Sequence, residues 1–162
     1  MNDPIGTKKS VLFVCLGNIC RSPTGEGVLQ HLVDEKQLGG RIEIDSAGTA
    51  GYHIGARADS RMREHAARRG YDLQSRARKL TSSDMETFDL VIAMDRENYH
   101  DIQRVNDQPA SELRMLSDFL GDDWPYDVPD PYYGGADGFE YVLDMIEAAT
   151  PRILQFLIGK DS

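Results

Sequence analysis

The chain has 162 residues, of which 40% are hydrophobic and 28% are charged. That length and composition suit one domain with one buried core. No apolar run approaches the roughly 20 residues of a transmembrane helix, and the N-terminus lacks the pattern of a signal peptide. Two cysteines five positions apart exclude a disulfide-rich secreted scaffold. We therefore expect a cytoplasmic, membrane-free single domain spanning residues 1–162, with residues 1–9 as a flexible N-terminus.

The net charge of −9 is distributed unevenly between the two halves of the chain. Residues 1–80 carry 13 Lys/Arg against 9 Asp/Glu (+4), and residues 81–162 carry 5 against 18 (−13). An acidic chain lacks the basic stripe on which nucleic-acid binding depends, so we expect no nucleic-acid partner. Residues 57–79 are nevertheless rich in arginine. This cluster is typical of a solvated helix face, and a docking patch for an anionic partner is the alternative.

The predicted elements alternate between short apolar strands and amphipathic helices, which indicates a parallel sheet wrapped by helices. A first strand is followed by a helix that starts at Pro23 and ends at Gly39-Gly40. After the second strand, Asp59 or Ser60 caps a helix that ends at Gly70, and after the third strand Asp95 caps another. The four predicted strands cover residues 11–14, 41–46, 88–94 and, more weakly, 112–116.

The C-terminal part of the chain combines a long loop with a final helix. Residues 121–138 are rich in Asp, Pro, Tyr and Gly, and a loop of that length in a compact domain is usually functional. The final helix begins at about Asp137 and has a regular apolar face. Pro151 lies within it, so we expect a kink or a break there.

The most informative segment is a Cys-x5-Arg-Ser loop that runs from Cys15 to Ser22, between a buried strand and a helix that begins with proline. Backbone N–H groups in such a loop and at a helix N-terminus form an anion-binding nest. Gly17 and Asn18 are residue types that tolerate the left-handed backbone such a loop requires. The planar guanidinium of Arg21 can bind two phosphate oxygens at once.

A cysteine at the first position of this loop indicates covalent chemistry, because phosphate binding alone does not need a thiol. The positive field that binds an anion also favours the reactive thiolate of Cys15. The hydroxyl of Ser22 is placed to hydrogen-bond that sulfur. Two inert buried cysteines would be the alternative explanation.

Other sites fit the sequence less well. A nucleotide-binding P-loop is excluded because no Gly-Lys-Ser/Thr follows the loop. A zinc site would need two further ligands, and the histidines are scattered without ligand spacing. The residues therefore do not indicate a zinc site. The four histidines are His31, His53, His65 and His100.

Cleavage of a phosphate ester also requires an acid that protonates the leaving oxygen. Asp130, in the Asp-Pro-Tyr-Tyr segment of the long loop, is the candidate. An isolated Asp-Pro step is typical of a simple turn. Together with the cysteine loop, it favours a general acid.

These motifs resemble those of the low-molecular-weight protein tyrosine phosphatases. The resemblance extends over nearly the whole chain, and its motifs occur in the family's order. It implies an α/β fold with a four-stranded parallel sheet and helices on both faces, doubly wound as in flavodoxin, and a site beyond the carboxyl end of the first strand. The matching segments are residues 15–23, 45–49, 94–95 and 130–134.

The resemblance implies a role for each residue of the predicted site. Cys15 would be the nucleophile, Arg21 the phosphate clamp and Asp130 the general acid and then base. The reaction would have two steps, through a cysteinyl-phosphate, and would use neither a metal nor a cofactor. The substrates would be aryl phosphates and tyrosine-phosphorylated proteins, with a tyrosine kinase among the candidate partners, and phosphate or another oxyanion would bind the loop. Substrate and phosphate contacts would come from Leu16, Gly17, Asn18, Ile19, Cys20, Ser22, Tyr52, Tyr132 and Tyr133, with Ser46 and Asp95 in support.

Three other functions remain open on the same fold. An arsenate reductase would need two further cysteines downstream, and none follows Cys20. A phosphoarginine phosphatase has threonine in the loop where this chain has Ile19. A catalytically silent phosphotyrosine-binding module would tend to lose the nucleophile or the acid, and both are present. A separate hypothesis is that Cys20 protects Cys15 through a reversible disulfide.

Overall fold

The computed structural model of the protein describes residues 8–131 and 135–159, which form an α/β fold around one sheet. All strand pairs are parallel, and the strand order is β2-β1-β3-β4. The predicted fold class is confirmed. The strands are β1 (Lys9–Cys15), β2 (Ile42–Gly48), β3 (Leu90–Ala93) and β4 (Glu112–Met115).

Helices cover both faces of this sheet, because the central strand β1 is apolar along its whole buried length. Val11 and Phe13 belong to one core cluster, with side chains of the first, second and last helices. Leu12 and Val14 belong to the other, with side chains of the two middle helices. The helices are α1 (Arg21–Glu35), α2 (Ser60–Ala67), α3 (Asp84–Thr87), α4 (Arg96–Val105) and α5 (Ala136–Ile158), with a 3-10 turn over Leu116–Phe119.

Helix α1 differs from its prediction at both ends. It begins at Arg21, so Pro23 is its third residue and not its first. It ends four residues before Gly39, because Gln37 adopts a positive φ of 58° and closes a Schellman turn. In that turn, Gln37 N donates to Asp34 O at 3.1 Å and Leu38 N donates to Val33 O at 2.9 Å.

The caps of α2 and α4 were predicted correctly, and Asp59 is the one of the two residues proposed for α2 that caps it. The carboxylate of Asp59 accepts hydrogen bonds from the backbone N–H groups of Arg61 and Met62 at the start of α2. The carboxylate of Asp95 accepts from Asn98 N at 2.7 Å at the start of α4. Each cap satisfies backbone donors that have no partner inside the helix.

Helix α5 continues through Pro151, so the predicted break is wrong. A proline at this position removes the N–H that would bond to the carbonyl of Glu147. The hydroxyl of Thr150 donates to that carbonyl at 3.4 Å and replaces the lost partner. Within residues 8–131 and 135–159, no helix is long and apolar enough to cross a membrane.

Candidate active site

The Cys-x5-Arg loop leaves the carboxyl end of β1 and enters α1, and the chain that follows β2 holds it in place. Thr49 N donates to Cys15 O and Ala50 N donates to Leu16 O, both at 2.9 Å. Gly48 permits this close approach, since a Cβ at that position would lie 2.8 Å from Leu16 O. The loop is therefore fixed by backbone contacts to the neighbouring strand.

Asn18 holds the middle of the loop. Its backbone has a φ of 58°, as predicted for this residue type. Its Oδ1 accepts from Arg78 N at 2.9 Å. Its Nδ2 donates to Ser22 Oγ at 2.8 Å and to Ser46 Oγ at 3.0 Å. Both amide hydrogens and the amide oxygen are used, so the orientation of this side chain is fixed.

Gly17 has a different role from the one predicted. It is absent from the glycines with positive φ, so the expectation of a left-handed backbone here is wrong. Its small size matters instead, because a Cβ would lie 3.0 Å from His53 Cδ2. A glycine here lets the His53 ring approach the loop backbone.

The backbone N–H groups of residues 17–21 are available to an anion. In the part of the chain that the structure describes, none of them donates to a protein acceptor. Residue 21 also starts α1, where the helix dipole favours negative charge. This combination fits a phosphate.

The thiol of Cys15 lies against the hydroxyl of Ser22. Their sulfur and oxygen atoms are 3.0 Å apart, and Ser22 N donates to the same sulfur at 3.4 Å. Asn18 donates to Ser22 Oγ, so the hydroxyl proton of Ser22 remains free to donate, and the sulfur is its nearer acceptor, with Ala47 O at 3.5 Å. A thiolate at Cys15 would therefore receive two hydrogen bonds.

Arg21 is held almost fully buried, with its side chain 3% exposed. Its Nη1 donates to Asp95 Oδ2 at 2.6 Å and to Val128 O at 3.1 Å. Burial lowers the pKa of Arg21, but the charges of Cys15 and Asp95 outweigh it, so the pKa lies above its usual value. The guanidinium stays charged and is fixed in orientation.

The loop faces a cleft of about 290 Å³. Asp130 also lines the cleft, and its Oδ2 lies 3.8 Å from Arg21 Nη2. The three predicted catalytic residues thus share one cleft. Tyr52, with 76% of its surface exposed, stands at the rim. Tyr132 and Tyr133 lie outside the described residues. The lining residues are Cys15, Leu16, Gly17, Ile19, Cys20, Arg21, Tyr52, His53 and Asp130.

Cys20 is the second thiol of the cleft. It is 4% exposed, and burial, together with the negative charge of Asp59, raises the pKa of its thiol. It is therefore held in the protonated form. Asp59 N also donates to Ile19 O at 2.8 Å, so α2 starts directly beside this part of the loop.

Sequence reasoning missed three contributors to the site. Val128 O binds the guanidinium of Arg21, and Arg78 N orients Asn18. Glu26 Oε1 accepts from Ser46 Oγ at 2.6 Å. Only Glu26 had a local signal, because it lies one helical turn after Ser22 on α1 and therefore on the same side of the helix.

The fold and the cleft define a class of protein: an α/β domain in which a thiol and an arginine flank an anion-binding loop at a strand end. The family model of the low molecular weight phosphotyrosine protein phosphatase matches residues 10–161. The chain therefore belongs to that family, as predicted, and is an enzyme of the protein-tyrosine-phosphatase class.

Relatives and solved structures agree with this assignment. A Synechocystis relative, whose name is of this family, is 45% identical over 153 residues, which are 93% of this chain and 97% of the relative. The crystal structure of a protein tyrosine phosphatase from Entamoeba histolytica has a TM-score of 0.86 and 42% identity, and covers 92% of this chain and 97% of its own. A Drosophila arginine phosphatase has a TM-score of 0.85 and 29% identity, over 94% of this chain and 99% of its own.

Proposed function

We propose that this protein hydrolyses phosphotyrosine in proteins, with Cys15 as nucleophile, Arg21 as phosphate clamp and Asp130 as general acid and base. One observation carries the proposal. The sulfur of Cys15, the guanidinium of Arg21 and the carboxylate of Asp130 line the same cleft, and the N–H groups of the intervening loop are available to an anion. Nucleophile, phosphate clamp and general acid must all reach the same phosphate ester, so they must line one cleft.

In the first step, the sulfur of Cys15 attacks the phosphorus. The S–P bond forms as the bond between phosphorus and the phenolic oxygen breaks, and Asp130 donates a proton to that oxygen. Arg21 and the loop N–H groups hold the other three phosphate oxygens, where charge is concentrated during transfer. Because Asp95 and Val128 fix Arg21 in advance, little reorganisation is needed.

In the second step, a water molecule attacks the cysteinyl-phosphate. Asp130, now a carboxylate, accepts the proton of that water as the new P–O bond forms. The S–P bond breaks and the electron pair returns to the sulfur of Cys15. The hydroxyl of Ser22, 3.0 Å from the sulfur, donates to the departing thiolate and stabilises it.

The cleft walls favour an aromatic ester. Leu16 and Ile19 supply apolar surface beside the loop, and the Tyr52 ring stands at the rim where it can stack on a phenyl ring. The assignment of Tyr132 and Tyr133 to the same wall stays a prediction. A tyrosine kinase as physiological partner and a cytoplasmic location are likewise proposals, which rest on the phosphotyrosine chemistry and on two unpaired cysteines.

Phosphoarginine is the second candidate substrate, because the Drosophila arginine phosphatase shares the fold over almost all of its length. Ile19 argues against it. The side chain of Ile19 packs partly against the core and presents hydrocarbon to the cleft, which suits a phenyl ring better than a guanidinium. The ratio of the two activities measures this preference.

The test is hydrolysis of phosphotyrosine peptides, phosphoarginine and an aryl phosphate, each with EDTA present, by wild type and Cys15→Ser. We expect EDTA-resistant hydrolysis of the aryl phosphate and phosphotyrosine that Cys15→Ser abolishes. Faster turnover of phosphoarginine than of phosphotyrosine would transfer the proposal to the second substrate. EDTA-sensitive turnover, or turnover by Cys15→Ser, would refute the mechanism.

A further inference from the structure

A continuous chain of hydrogen bonds runs from Glu26 to the sulfur of Cys15. Glu26 Oε1 accepts from Ser46 Oγ at 2.6 Å, Asn18 Nδ2 donates to Ser46 Oγ at 3.0 Å and to Ser22 Oγ at 2.8 Å, and Ser22 Oγ lies 3.0 Å from Cys15 Sγ. The three intermediate residues are at most 2% exposed. Water therefore does not compete for these bonds.

The direction of each bond follows from the chemistry of its members. The Asn18 nitrogen can only donate, so both serine hydroxyls accept from it and have one proton left to donate. An ionised carboxylate can only accept, so Glu26 takes the proton of Ser46. The proton of Ser22 has two acceptors in reach, Cys15 Sγ at 3.0 Å and Ala47 O at 3.5 Å.

Removal of Glu26 would weaken the hydrogen-bond chain at the end opposite Cys15. Ser46 would lose the acceptor that fixes its hydroxyl, and Asn18 would lose a well-oriented partner for one amide hydrogen. Without that restraint, Ser22 could turn its proton from the sulfur of Cys15 to the carbonyl of Ala47. A hydroxyl that stabilises the thiolate would then be lost although Glu26 itself never touches substrate.

We infer that Glu26 is a positioning residue for the reaction, which acts through Ser46, Asn18 and Ser22 to keep a hydroxyl donor on the sulfur of Cys15. The inference rests on the proposed function for its catalytic meaning. The hydrogen-bond chain itself can be tested on the thiol alone.

The groups around Glu26 shift the pKa of its carboxyl in opposite directions, and the net shift is upward. Burial raises its pKa, and the charge of Asp45 on β2 adds to this effect. Hydrogen bonds from Ser46 and Ser75 and the charge of Arg78 act in the opposite direction. Glu26 also borders a polar recess of about 190 Å³ that includes Asp72, the other acidic group on that side.

The test is the rate at which the neutral reagent iodoacetamide alkylates Cys15, measured against pH by peptide mass spectrometry. The variants are Glu26→Ala, Glu26→Gln, Ser46→Ala and the double variant Glu26→Ala/Ser46→Ala. Glu35→Ala is the control, because Glu35 is an exposed glutamate at the other end of α1. Thermal melting identifies any variant that fails to fold.

We expect the alkylation profile of Glu26→Ala to move to higher pH, with a rate about 5- to 10-fold lower on its acidic side, as for the loss of one hydrogen bond. Glu26→Gln keeps an acceptor for Ser46 and stays within about twofold of wild type. Ser46→Ala matches Glu26→Ala, and the double variant is no slower than Ser46→Ala, since both act through one chain. Glu35→Ala is unchanged.

A Glu26→Ala profile that superimposes on that of wild type would overturn the inference, as would a double variant in which the two effects multiply. If Glu26→Ala does not fold, Glu26→Met replaces it, because methionine fills a similar volume without a strong acceptor for the Ser46 hydroxyl, and a profile equal to that of wild type would overturn the inference in the same way. An absence of phosphatase activity in wild type would refute the proposed function and leave the alkylation result valid. The two failures are therefore distinguishable.

Discussion

Arg21 and Asp95 are joined by a hydrogen bond of 2.6 Å between Nη1 and Oδ2, and the same carboxylate caps α4 through its other oxygen, Oδ1. One side chain therefore links the start of α4 on one face of the sheet to the phosphate clamp at the end of β1. The placement of the guanidinium therefore depends on a helix from which none of the named cleft-lining residues comes.

Two substitutions at Asp95 separate these roles. Asp95→Asn retains a helix cap but loses the charge that binds the buried guanidinium of Arg21, so we expect kcat/KM to fall by about 10- to 100-fold and stability to fall as well. Asp95→Ala also loses the cap and should lower the free energy of unfolding by about a further 1 kcal/mol. Denaturant unfolding and aryl phosphate hydrolysis measure the two effects. Full activity in Asp95→Asn would show that the charge of Asp95 is not needed to hold the guanidinium.

Asp130→Ala tests the general acid. We expect kcat to fall by about 10²- to 10³-fold on phosphotyrosine, because its phenolic oxygen needs a proton to leave. The fall should be smaller on an aryl phosphate whose leaving group is a stable phenolate. Asp123→Ala is the matched control, since Asp123 is an exposed aspartate of the same loop. Equal losses for both leaving groups would contradict the acid role.

The ion pair between Arg78 and Asp84 makes stability depend on pH. Asp84 Oδ2 accepts from Arg78 Nη1 and from Thr81 N, both at 2.9 Å. Burial acts to raise the pKa of Asp84, but these bonds outweigh it and the pKa lies below the ordinary 3.8. The folded protein binds this proton less readily than the unfolded chain.

The stabilisation from Asp84 is therefore complete above the unfolded pKa and is lost as the pH falls through the folded one. We expect the melting temperature of wild type to drop as the pH is lowered below about 4, and Asp84→Asn to show a flatter profile. The exposed Asp107→Asn serves as control. Parallel profiles for wild type and Asp84→Asn would rule out this contribution.

The presence of two thiols in one loop predicts that peroxide forms a reversible disulfide between Cys15 and Cys20. Oxidation converts Cys15 to a sulfenic acid, and attack by the sulfur of Cys20 then forms the disulfide with loss of water. Burial raises the pKa of Cys20, so this closure should accelerate with pH. We expect activity lost to mild peroxide to return with a thiol reductant in wild type and to return only in part in Cys20→Ser, where the sulfenic acid has no neighbouring thiol and oxidises further to acids that thiols do not reduce. Sulfonic acid at Cys15 of wild type, without a bridge, would refute the hypothesis.

The parts of the fold that the sequence predicted have local causes. A strand, an anion-binding loop and a helix are adjacent in the chain between β1 and α1, and Asp59 and Asp95 cap helices that begin at the next residue. The prediction that α1 ends at Gly39-Gly40 was wrong, because Gln37 adopts the positive φ that ends the helix and Leu38 packs against the core beside it. The predicted break at Pro151 does not occur, because the Thr150 hydroxyl donates to the Glu147 carbonyl in place of the N–H that proline lacks.

The parts of the site that the sequence could not predict depend on contacts between distant segments. Gly48 is required by the approach of the loop carbonyl at Leu16, and Val128 binds Arg21 from more than a hundred positions away. Glu26 lies 20 positions from Ser46, the residue whose hydroxyl donates a hydrogen bond to it. Such pairs join segments that are distant in the chain and that meet only in the folded domain, so no pattern within one element identifies both partners.

The most direct test of the central claim is to look for the covalent intermediate. Wild type and Cys15→Ser are mixed with an aryl phosphate, quenched in acid within the first turnover and digested for mass spectrometry. The account predicts a phosphoryl group on the sulfur of Cys15 in wild type, formed in a burst of phenol release, and none in Cys15→Ser. Turnover by wild type without a phosphorylated Cys15, or with the phosphoryl group on another residue, would contradict it.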